Sequence, residues 1–249
     1  MKQIAFLLSI SLLTIIACRK DIVSEEIVSE EIASERKFDP HYRPEVELSN
    51  FTNSTIITNP LYPIEAGKKY IFEGQTTDGL EHIEEQRLNT TKLILGVTCI
   101  VVNFKAYVGG ILIEEAQDWY AQDNSGNLWY FGEAVDNYDT DGTLLDHAGS
   151  WEAGKHNAKP GIIMLANPQP GDAYREEYYF RHAEDEAEVL ETGITVTTLF
   201  RTFNYCIKTR NWSRLEPDVT EHKIYAPGYG LIKEINLEDN TEILLIAIQ

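Results

Sequence analysis

The chain has 249 residues, of which 43% are hydrophobic, and it carries a formal net charge of −19. Because this charge repels phosphate groups, the composition argues against nucleic acid as a partner. The length is sufficient to bury a substantial core, so we expect one folded domain with accessory segments.

The first 17 residues have the composition of a secretion signal. Lys2 provides a positive charge, and the apolar run from Ile4 to Ala17 is too short to span a bilayer comfortably. The run ends in Ile-Ile-Ala-Cys, which resembles the lipobox of bacterial lipoproteins and makes Cys18 the expected lipidation site. Several acyl chains, palmitate among them, would anchor the protein stably to a membrane. An ordinary signal peptide that happens to contain a cysteine is the alternative.

Residues 18–36 are expected to hold the domain away from the membrane. An acidic repeat with a five-residue period runs from Ile22 to Glu35 and fits neither a strand nor a helix, which favours a solvated tether over a short amphipathic helix. The basic and acidic residues that follow Cys18 resemble the export signal of surface-exposed lipoproteins in Bacteroidota. We therefore expect a cell-envelope protein at the outer membrane, with an external orientation as one alternative. Residues 37–67 contain four prolines and are predicted to be irregular.

Residues 68–249 are predicted to form a single all-β domain. Strand-like runs of alternating polarity follow one another, and Gly109-Gly110 and Asp141-Gly142 mark hairpin turns between them. About a dozen antiparallel strands are expected in a curved sheet, a half-barrel or a barrel, with few helices. Residues 181–191 are the one candidate helix, with a charged excursion on a sheet edge as the alternative. Residues 155–171 are predicted to be a loop held by a short apolar run.

Several aromatic and glycine-rich motifs carry a family resemblance. They are Asp118–Asp123 (DWYAQD), Gly126–Glu133 (GNLWYFGE), Gly149–Gly154 (GSWEAG), Pro160–Ile162 (PGI) and Tyr225–Gly228 (YAPG). Over most of residues 68–237 the chain resembles a family of uncharacterised bacterial secreted proteins, which implies no catalytic residue. The succession of strands is more distantly similar to the LolA-like carriers, whose curved antiparallel sheet shelters acyl chains. That likeness concerns architecture and does not imply function.

One turn resembles the start of a calcium-binding loop. Asn137, Asp139 and Asp141 place oxygen atoms at alternate positions before Gly142, but Ala148 stands where a bidentate glutamate is required. A hairpin turn without metal is the alternative. The sequence has no phosphate-binding glycine loop and no dinucleotide motif, so no cofactor is expected.

Two acidic residues and two histidines are candidates for catalysis. Glu133 and Glu152 neighbour aromatic residues, as the carboxyl pair of a glycosidase does, and His147 and His156 flank the predicted loop. These four residues are the basis for a secreted hydrolase as an alternative function. In so acidic a chain, however, carboxylates lie beside aromatics by chance.

The remaining candidates are aromatic residues and cysteines. Trp119, Trp129, Tyr130 and Trp151 could line a ligand site, with core packing as the alternative. Cys99 and Cys206 lie in strand-like runs and could form a disulfide or remain as buried thiols.

These observations favour a lipid-anchored envelope protein over the other functions considered. Its β domain is expected to bind or carry an apolar or amphiphilic ligand, or an envelope component, without catalysis. A secreted hydrolase and a structural or adhesive surface protein are the two alternatives.

Overall fold

The computed structural model describes residue 44 and residues 46–249, so the secretion signal, Cys18 and the acidic tether lie outside the described residues. In the described part, no helix is long and apolar enough to cross a membrane. A short 3-10 helix, Leu48–Asn50, precedes the strands. The strands are β1 (Lys69–Thr76), β2 (Gly79–Ile94), β3 (Val97–Val108), β4 (Ile111–Gln122), β5 (Leu128–Tyr138), β6 (Leu144–Asp146), β7 (Trp151–Glu152), β8 (Lys159–Met164), β9 (Ala173–Arg175), β10 (Glu177–Tyr178), β11 (Asp185–Thr197), β12 (Thr202–Ser213), β13 (Thr220–Ala226), β14 (Gly230–Asn236) and β15 (Glu242–Ile248).

All these strands belong to one antiparallel sheet. Its order is β10-β8-β5-β4-β3-β2-β1-β15-β14-β13-β12-β11-β9, and β6 and β7 also pair with β5. The strands at the two ends of this order, β9 and β10, are separated in sequence only by Glu176. The sheet therefore curves back toward its own beginning and is nearly closed and barrel-shaped. This confirms the predicted all-β fold class, with 15 strands where about a dozen were expected.

The core lies inside the curved sheet. The largest fully buried side chains include Phe72, Ile83, Phe104, Tyr130 and Leu245, which come from five different strands. Alternate residues of each strand face the same side of a sheet, so each strand contributes every second side chain to this interior. β3 lies near the middle of the sheet order, and its residues 99–102 are buried at four consecutive positions. Such a strand is covered on both faces.

The structure corrects one local prediction and decides between two alternatives at another place. The predicted loop at residues 155–171 contains β8, which pairs with both β5 and β10. The candidate helix at residues 181–191 is instead the start of β11, whose buried Ala187 and Val189 alternate with more exposed residues. Ala187 and Val189 are two positions apart, so in a strand they lie on the same face. In a helix, two residues at this spacing would point to nearly opposite sides.

The segment before β1 lies against the β4–β5 hairpin. The side-chain carbonyl of Gln122 accepts hydrogen bonds from the backbone N–H groups of Thr58 and Asn59, at 2.7 and 2.9 Å. The Phe51 ring packs edge-on against Trp129 and Phe131, with both centroid distances at 5.8 Å. These contacts fix the irregular segment to the hairpin, and its residues Phe51, Leu61 and Ile64 belong to the buried core.

The two described cysteines are free thiols, so the disulfide considered from the sequence is absent. Cys99 lies in β3 and Cys206 in β12, and five strands separate β3 from β12 in the sheet order. A disulfide requires Cα atoms within about 7 Å of each other, and this placement does not bring them together. Burial raises the pKa of the Cys99 thiol to about 12, so it stays protonated.

Candidate functional site

A surface pocket of about 350 Å³ lies beside β5 and β7. Its lining residues combine aromatic, acidic and basic side chains: Trp119, Glu133, Ser150, Trp151, Glu152, Lys155, His156 and Tyr179. The volume falls at the lower end of the range for small-molecule sites in proteins. The pocket is therefore large enough for a small polar molecule.

Two buried polar groups of this pocket have no partner in the described part of the chain. Glu133 and Trp151 are register partners in β5 and β7, and they are only 3% and 4% exposed. The Oε2 atom of Glu133 and the indole Nε1 of Trp151 make no hydrogen bond within the described residues. Buried polar atoms are nearly always hydrogen-bonded in native structures. Both atoms are inaccessible to solvent, so the pair leaves one acceptor and one donor unsatisfied in residues that line the pocket.

A glycine allows β5 and β7 to approach at this point. Gly132 has a φ of +127°, and a Cβ atom there would lie 2.3 Å from the backbone carbonyl oxygen of Trp151. Any other residue would push β7 away from β5. The short spacing that brings Trp151 beside Glu133 thus depends on the absence of a side chain at position 132.

The two carboxyl groups of the pocket differ in protonation. Burial raises the pKa of Glu133 well above its ordinary range, and the nearby carboxylates of Asp118 and Glu177 raise it further. Burial also acts to raise the pKa of Glu152, but hydrogen bonds from Lys92 and Lys155 outweigh this effect and lower it. The Glu152 Oε2 atom lies 2.8 Å from the Lys92 Nζ atom and 2.9 Å from the Lys155 Nζ atom. Glu152 is therefore ionised at neutral pH, whereas the environment of Glu133 favours its uncharged form.

Aromatic rings and cations surround the two carboxyl groups. The Lys92 Nζ atom lies 3.1 Å from the centroid of the Trp119 ring, a cation–π contact. The Tyr179 ring stacks on the His182 ring with a centroid distance of 4.2 Å. The centroid of the His156 ring lies 6.4 Å from that of Tyr179. The pocket thus combines buried hydrogen-bonding groups with a rim of polar and aromatic side chains.

Five of the residues predicted from the sequence line this pocket together: Trp119, Glu133, Trp151, Glu152 and His156. His147 does not line it, because its Nδ1 atom lies 2.8 Å from the Asp136 carboxylate and 3.0 Å from the Val135 carbonyl oxygen.

The other two predicted aromatic residues occupy different positions. Tyr130 lies behind the pocket, where its ring packs edge-on against Trp151 at 5.2 Å and its hydroxyl donates to Asp118. Trp129 is turned elsewhere, since its indole N–H donates to the Asp123 carboxylate at 2.9 Å.

The sequence reasoning missed Lys155 and Tyr179. Lys155 follows Glu152 by three residues and pairs with it, so charge spacing could have identified it. Tyr179 directly follows β10, which reaches this region by pairing with β8. No local pattern in the sequence predicts the pairing of β10 with β8.

The predicted calcium residues do not converge on a common point. The side-chain amide of Asn137 donates to Asp146 and to the Ala148 carbonyl oxygen. Asp139 and Asp141 accept hydrogen bonds from the backbone N–H groups of Thr140 and Thr143, as carboxylates of tight turns do. Among the residues that the structure describes, no group of three or more His, Cys, Asp or Glu side chains is arranged to hold a metal ion.

A second, apolar cavity lies elsewhere in the sheet. It measures about 30 Å³ and is lined by residues that include Tyr62, Tyr70, Phe72 and Leu231. A water molecule requires about 10–15 Å³ on this measure, so this cavity has room for a few waters and not for an acyl chain.

The interior of the sheet also contains buried carboxyl groups. Neither side-chain oxygen of Glu81 or of Glu234 has a hydrogen-bond partner within the described residues, and one oxygen of Glu114 also lacks one. Burial and the neighbouring acids Glu221 and Asp78 raise the pKa of Glu81 to about 8. Burial, Asp118 and Glu81 raise the pKa of Glu114 to about 8. This part of the interior is polar and largely uncharged at neutral pH.

Comparison with solved structures finds similar chains of Bacteroides and Parabacteroides. One, described as a "putative exported protein with YmcC-like fold" from Bacteroides fragilis, is 15% identical, with a TM-score of 0.45 and coverage of 76% of this chain and 98% of that one. Another, described as a "putative lipoprotein" from Parabacteroides distasonis, is 12% identical, with a TM-score of 0.41 and coverage of 77% and 99%. No protein-family model matches the chain, and no curated protein matches its sequence. The resemblances to the motif family and to the LolA-like carriers stay predictions.

Proposed function

We propose that this chain is a lipid-anchored protein of the bacterial envelope whose β domain binds a saccharide in the pocket beside β5 and β7. The domain holds the ligand without transforming it. The lipobox-like sequence that ends at Cys18 supports the anchoring, and the pocket supports the binding.

The main support for saccharide binding is that two buried atoms, Oε2 of Glu133 and Nε1 of Trp151, have no hydrogen-bond partner within the described residues. The Trp151 indole can only donate a hydrogen bond, and the Glu133 Oε2 atom is available as an acceptor. A hydroxyl group is both donor and acceptor, so a ligand hydroxyl that reaches these atoms, after a small opening of the pocket wall, would satisfy both kinds of group. A methylene chain can satisfy neither group and would leave both buried at a cost of about 1–3 kcal/mol each.

The rest of the pocket also favours a ligand with several hydroxyl groups. Glu152, Lys155 and His156 supply further donors and acceptors at the rim, and Tyr179 supplies an aromatic surface. Sugars present an apolar ring face together with a polar edge, which matches such a mixed lining. The proposed ligand is therefore more polar than the apolar or amphiphilic one that the sequence favours.

The test is a titration of the intrinsic tryptophan fluorescence with methyl glycosides of glucose, galactose and N-acetylglucosamine, and with laurate as the apolar probe. We expect at least one glycoside to give a saturable change and laurate to give none. Trp151→Phe should weaken the glycoside affinity roughly tenfold, because it removes the indole donor. Trp129→Phe is the matched control and should retain the affinity. The proposal fails if no glycoside binds, if laurate saturates the signal, or if both variants lose affinity equally.

One observation favours a glycoside hydrolase as a second candidate. Glu133 and Glu152 line one pocket, and their pKa values are shifted in opposite directions, as those of a general acid and an ionised carboxylate are. Release of nitrophenol from nitrophenyl glycosides, with loss of that activity in Glu133→Gln, would support hydrolysis. Binding of glycosides without their turnover would exclude it.

A further inference from the structure

The hairpin of β11 and β12 extends beyond its neighbours in the sheet. Ile194 pairs with Cys206, and the ladder continues to Thr197 and Thr202 at the turn. On one side, β9 pairs with β11 only at residues 186–188. On the other side, pairing of β12 with β13 begins only at Ile207. Residues 194–206, which we term the hairpin tip, therefore have no neighbouring strand on either side, while Phe203 and Cys206 within the tip are buried in the core.

The hairpin tip exposes large apolar side chains. Leu199 is 97% exposed and Tyr205 is 77% exposed, and Phe200 beside Leu199 is also exposed. The turn itself is hydrogen-bonded, since the Thr198 backbone N–H donates to the Arg201 carbonyl oxygen at 3.0 Å. An ordered turn thus presents Leu199 and Phe200 to the outside, and exposed apolar groups at one place mark interaction sites.

The charge around the hairpin tip is opposite to that of the chain. Residues 192–215 include no Asp or Glu and four basic residues, whereas the whole chain has a net charge of −19. Lys208, Arg210 and Arg214 pair with glutamates of β11. Arg201 lies at the turn itself, where it contacts the rings of Phe203 and Tyr229 and donates to the Tyr229 hydroxyl. A positive charge therefore lies directly beside the exposed apolar residues.

We propose that the hairpin tip inserts into the interface of a bilayer that contains anionic lipids. Leu199 and Phe200 would enter the boundary between headgroups and acyl chains, and Tyr205 would lie at headgroup level. Arg201 would contact the lipid phosphates, which attract basic side chains near a membrane surface.

The size of the tip favours a bilayer over a protein partner. A stable protein interface buries at least about 1,000 Å² with a complementary surface on each partner. A narrow turn with three exposed apolar side chains offers much less area than that. A bilayer requires no matching shape, and membrane binding depends on buried apolar area and charge attraction.

The predicted lipid anchor places a bilayer within reach of the tip. Cys18 precedes Val46, the start of the continuous described chain, by 28 positions. Such a length spans at most roughly 100 Å when fully extended, so an anchored domain stays close to its membrane. This part of the reasoning uses the proposed lipidation of Cys18 and is independent of the saccharide pocket.

The test uses the full, membrane-anchored chain in vesicles of phosphatidylcholine with and without phosphatidylglycerol. Leu199→Cys and, as the matched control, Leu93→Cys carry the same environment-sensitive fluorophore. Leu93 is 68% exposed and lies in β2, which four strands separate from β12 in the sheet order. Quenching by spin-labelled lipid then reports whether each position enters the bilayer.

In vesicles with phosphatidylglycerol we expect quenching at position 199 and none at position 93. Arg201→Glu should lower the ratio of inserted to free tip at least about fivefold, because each basic charge near an anionic surface contributes about 1 kcal/mol. Equal quenching at positions 199 and 93, or no quenching at position 199, would overturn the proposal. Insertion that Arg201→Glu leaves unchanged would overturn the role of charge. Thermal unfolding of each labelled variant confirms that its fold is retained.

Discussion

Lys223 and Glu234 face each other in neighbouring strands inside the sheet, with the Lys223 Nζ atom 3.8 Å from the Glu234 Oε2 atom. The same Nζ atom lies 3.5 Å from the Glu221 Oε2 atom. Burial acts to lower the pKa of Lys223, but Glu234, Glu221 and Glu176 outweigh it and raise the pKa well above its ordinary range. The charged Lys223 side chain thus interacts with several buried acidic residues at once. Near this point the sheet interior contains more carboxyl groups than cations.

The first prediction concerns the pH dependence of stability. Glu81 and Glu114 have a folded-state pKa of about 8 against an ordinary value of 4.5, so the folded chain binds more protons than the unfolded chain between these values. Stability is then fully present below about pH 4.5 and is lost as the pH rises through 8. We expect thermal unfolding at pH 8.5 to occur several degrees below that at pH 5.5. Glu81→Gln should flatten this dependence, whereas Glu65→Gln, at an exposed site, should not. An unfolding temperature that rises over this pH range contradicts the prediction.

The second prediction concerns the buried lysine. Lys223→Met removes the cation that pairs with Glu234 and Glu221, so the free energy of unfolding should fall by about 3 kcal/mol or more. Urea unfolding at neutral pH measures this change. Lys233→Met is the matched control, since Lys233 pairs with the exposed Glu242 and should contribute at most about 1 kcal/mol. Equal losses in the two variants would show that burial of the Lys223 charge is not the cause.

The third prediction separates stability from binding at the pocket. Glu133→Leu replaces a buried, unpartnered carboxyl group with an apolar side chain of similar size, so stability should rise by about 1–2 kcal/mol. The same variant should lose glycoside binding, because it removes the acceptor beside Trp151. Calorimetric unfolding and fluorescence titration on one sample measure both effects. A variant that is less stable and still binds glycosides would refute the proposed role of Glu133.

The fourth prediction concerns the anchor. Replacement of Cys18 by serine removes the thiol that is acylated, so the protein should move from the membrane fraction to the soluble fraction of the producing cells. Ultracentrifugation and immunoblotting measure this distribution. Cys99→Ser is the control, since a buried thiol cannot hold the chain on a membrane. Unchanged membrane fractionation of the Cys18 variant would argue against lipidation.

Turn chemistry and alternating polarity were sufficient to predict the fold class. Gly109 and Gly110 have positive φ angles in the turn from β3 to β4, and Gly142 has one in the turn that was predicted as a hairpin. The strand β8 was missed because Pro160, which lies within it, normally argues against a strand. Pro160 is tolerated here because it lies near the start of β8, one residue before the ladder with β5 begins at Gly161.

The buried acids could not be predicted from the sequence. Alternation places Glu81 on the face of Ile83 and Glu114 on the face of Ala116, but carboxylates are rarely buried without partners, so neither was expected in the core. Closure of the sheet places them inside instead. The pocket was partly predictable, because Glu133 and residues 151–156 are close in sequence and β5 pairs with β7. Its completion by Tyr179 depends on a long-range pairing that no local pattern indicates.

The most direct measurement of the central claim is the NMR signal of the Trp151 indole N–H, assigned by comparison with Trp151→Phe. On addition of a methyl glycoside that binds, this resonance should shift because its proton gains a hydrogen-bond acceptor. The Trp129 resonance, whose proton is already donated to Asp123, should stay in place. A Trp151 resonance that does not move with any glycoside, or that moves with laurate instead, would contradict a saccharide-binding pocket.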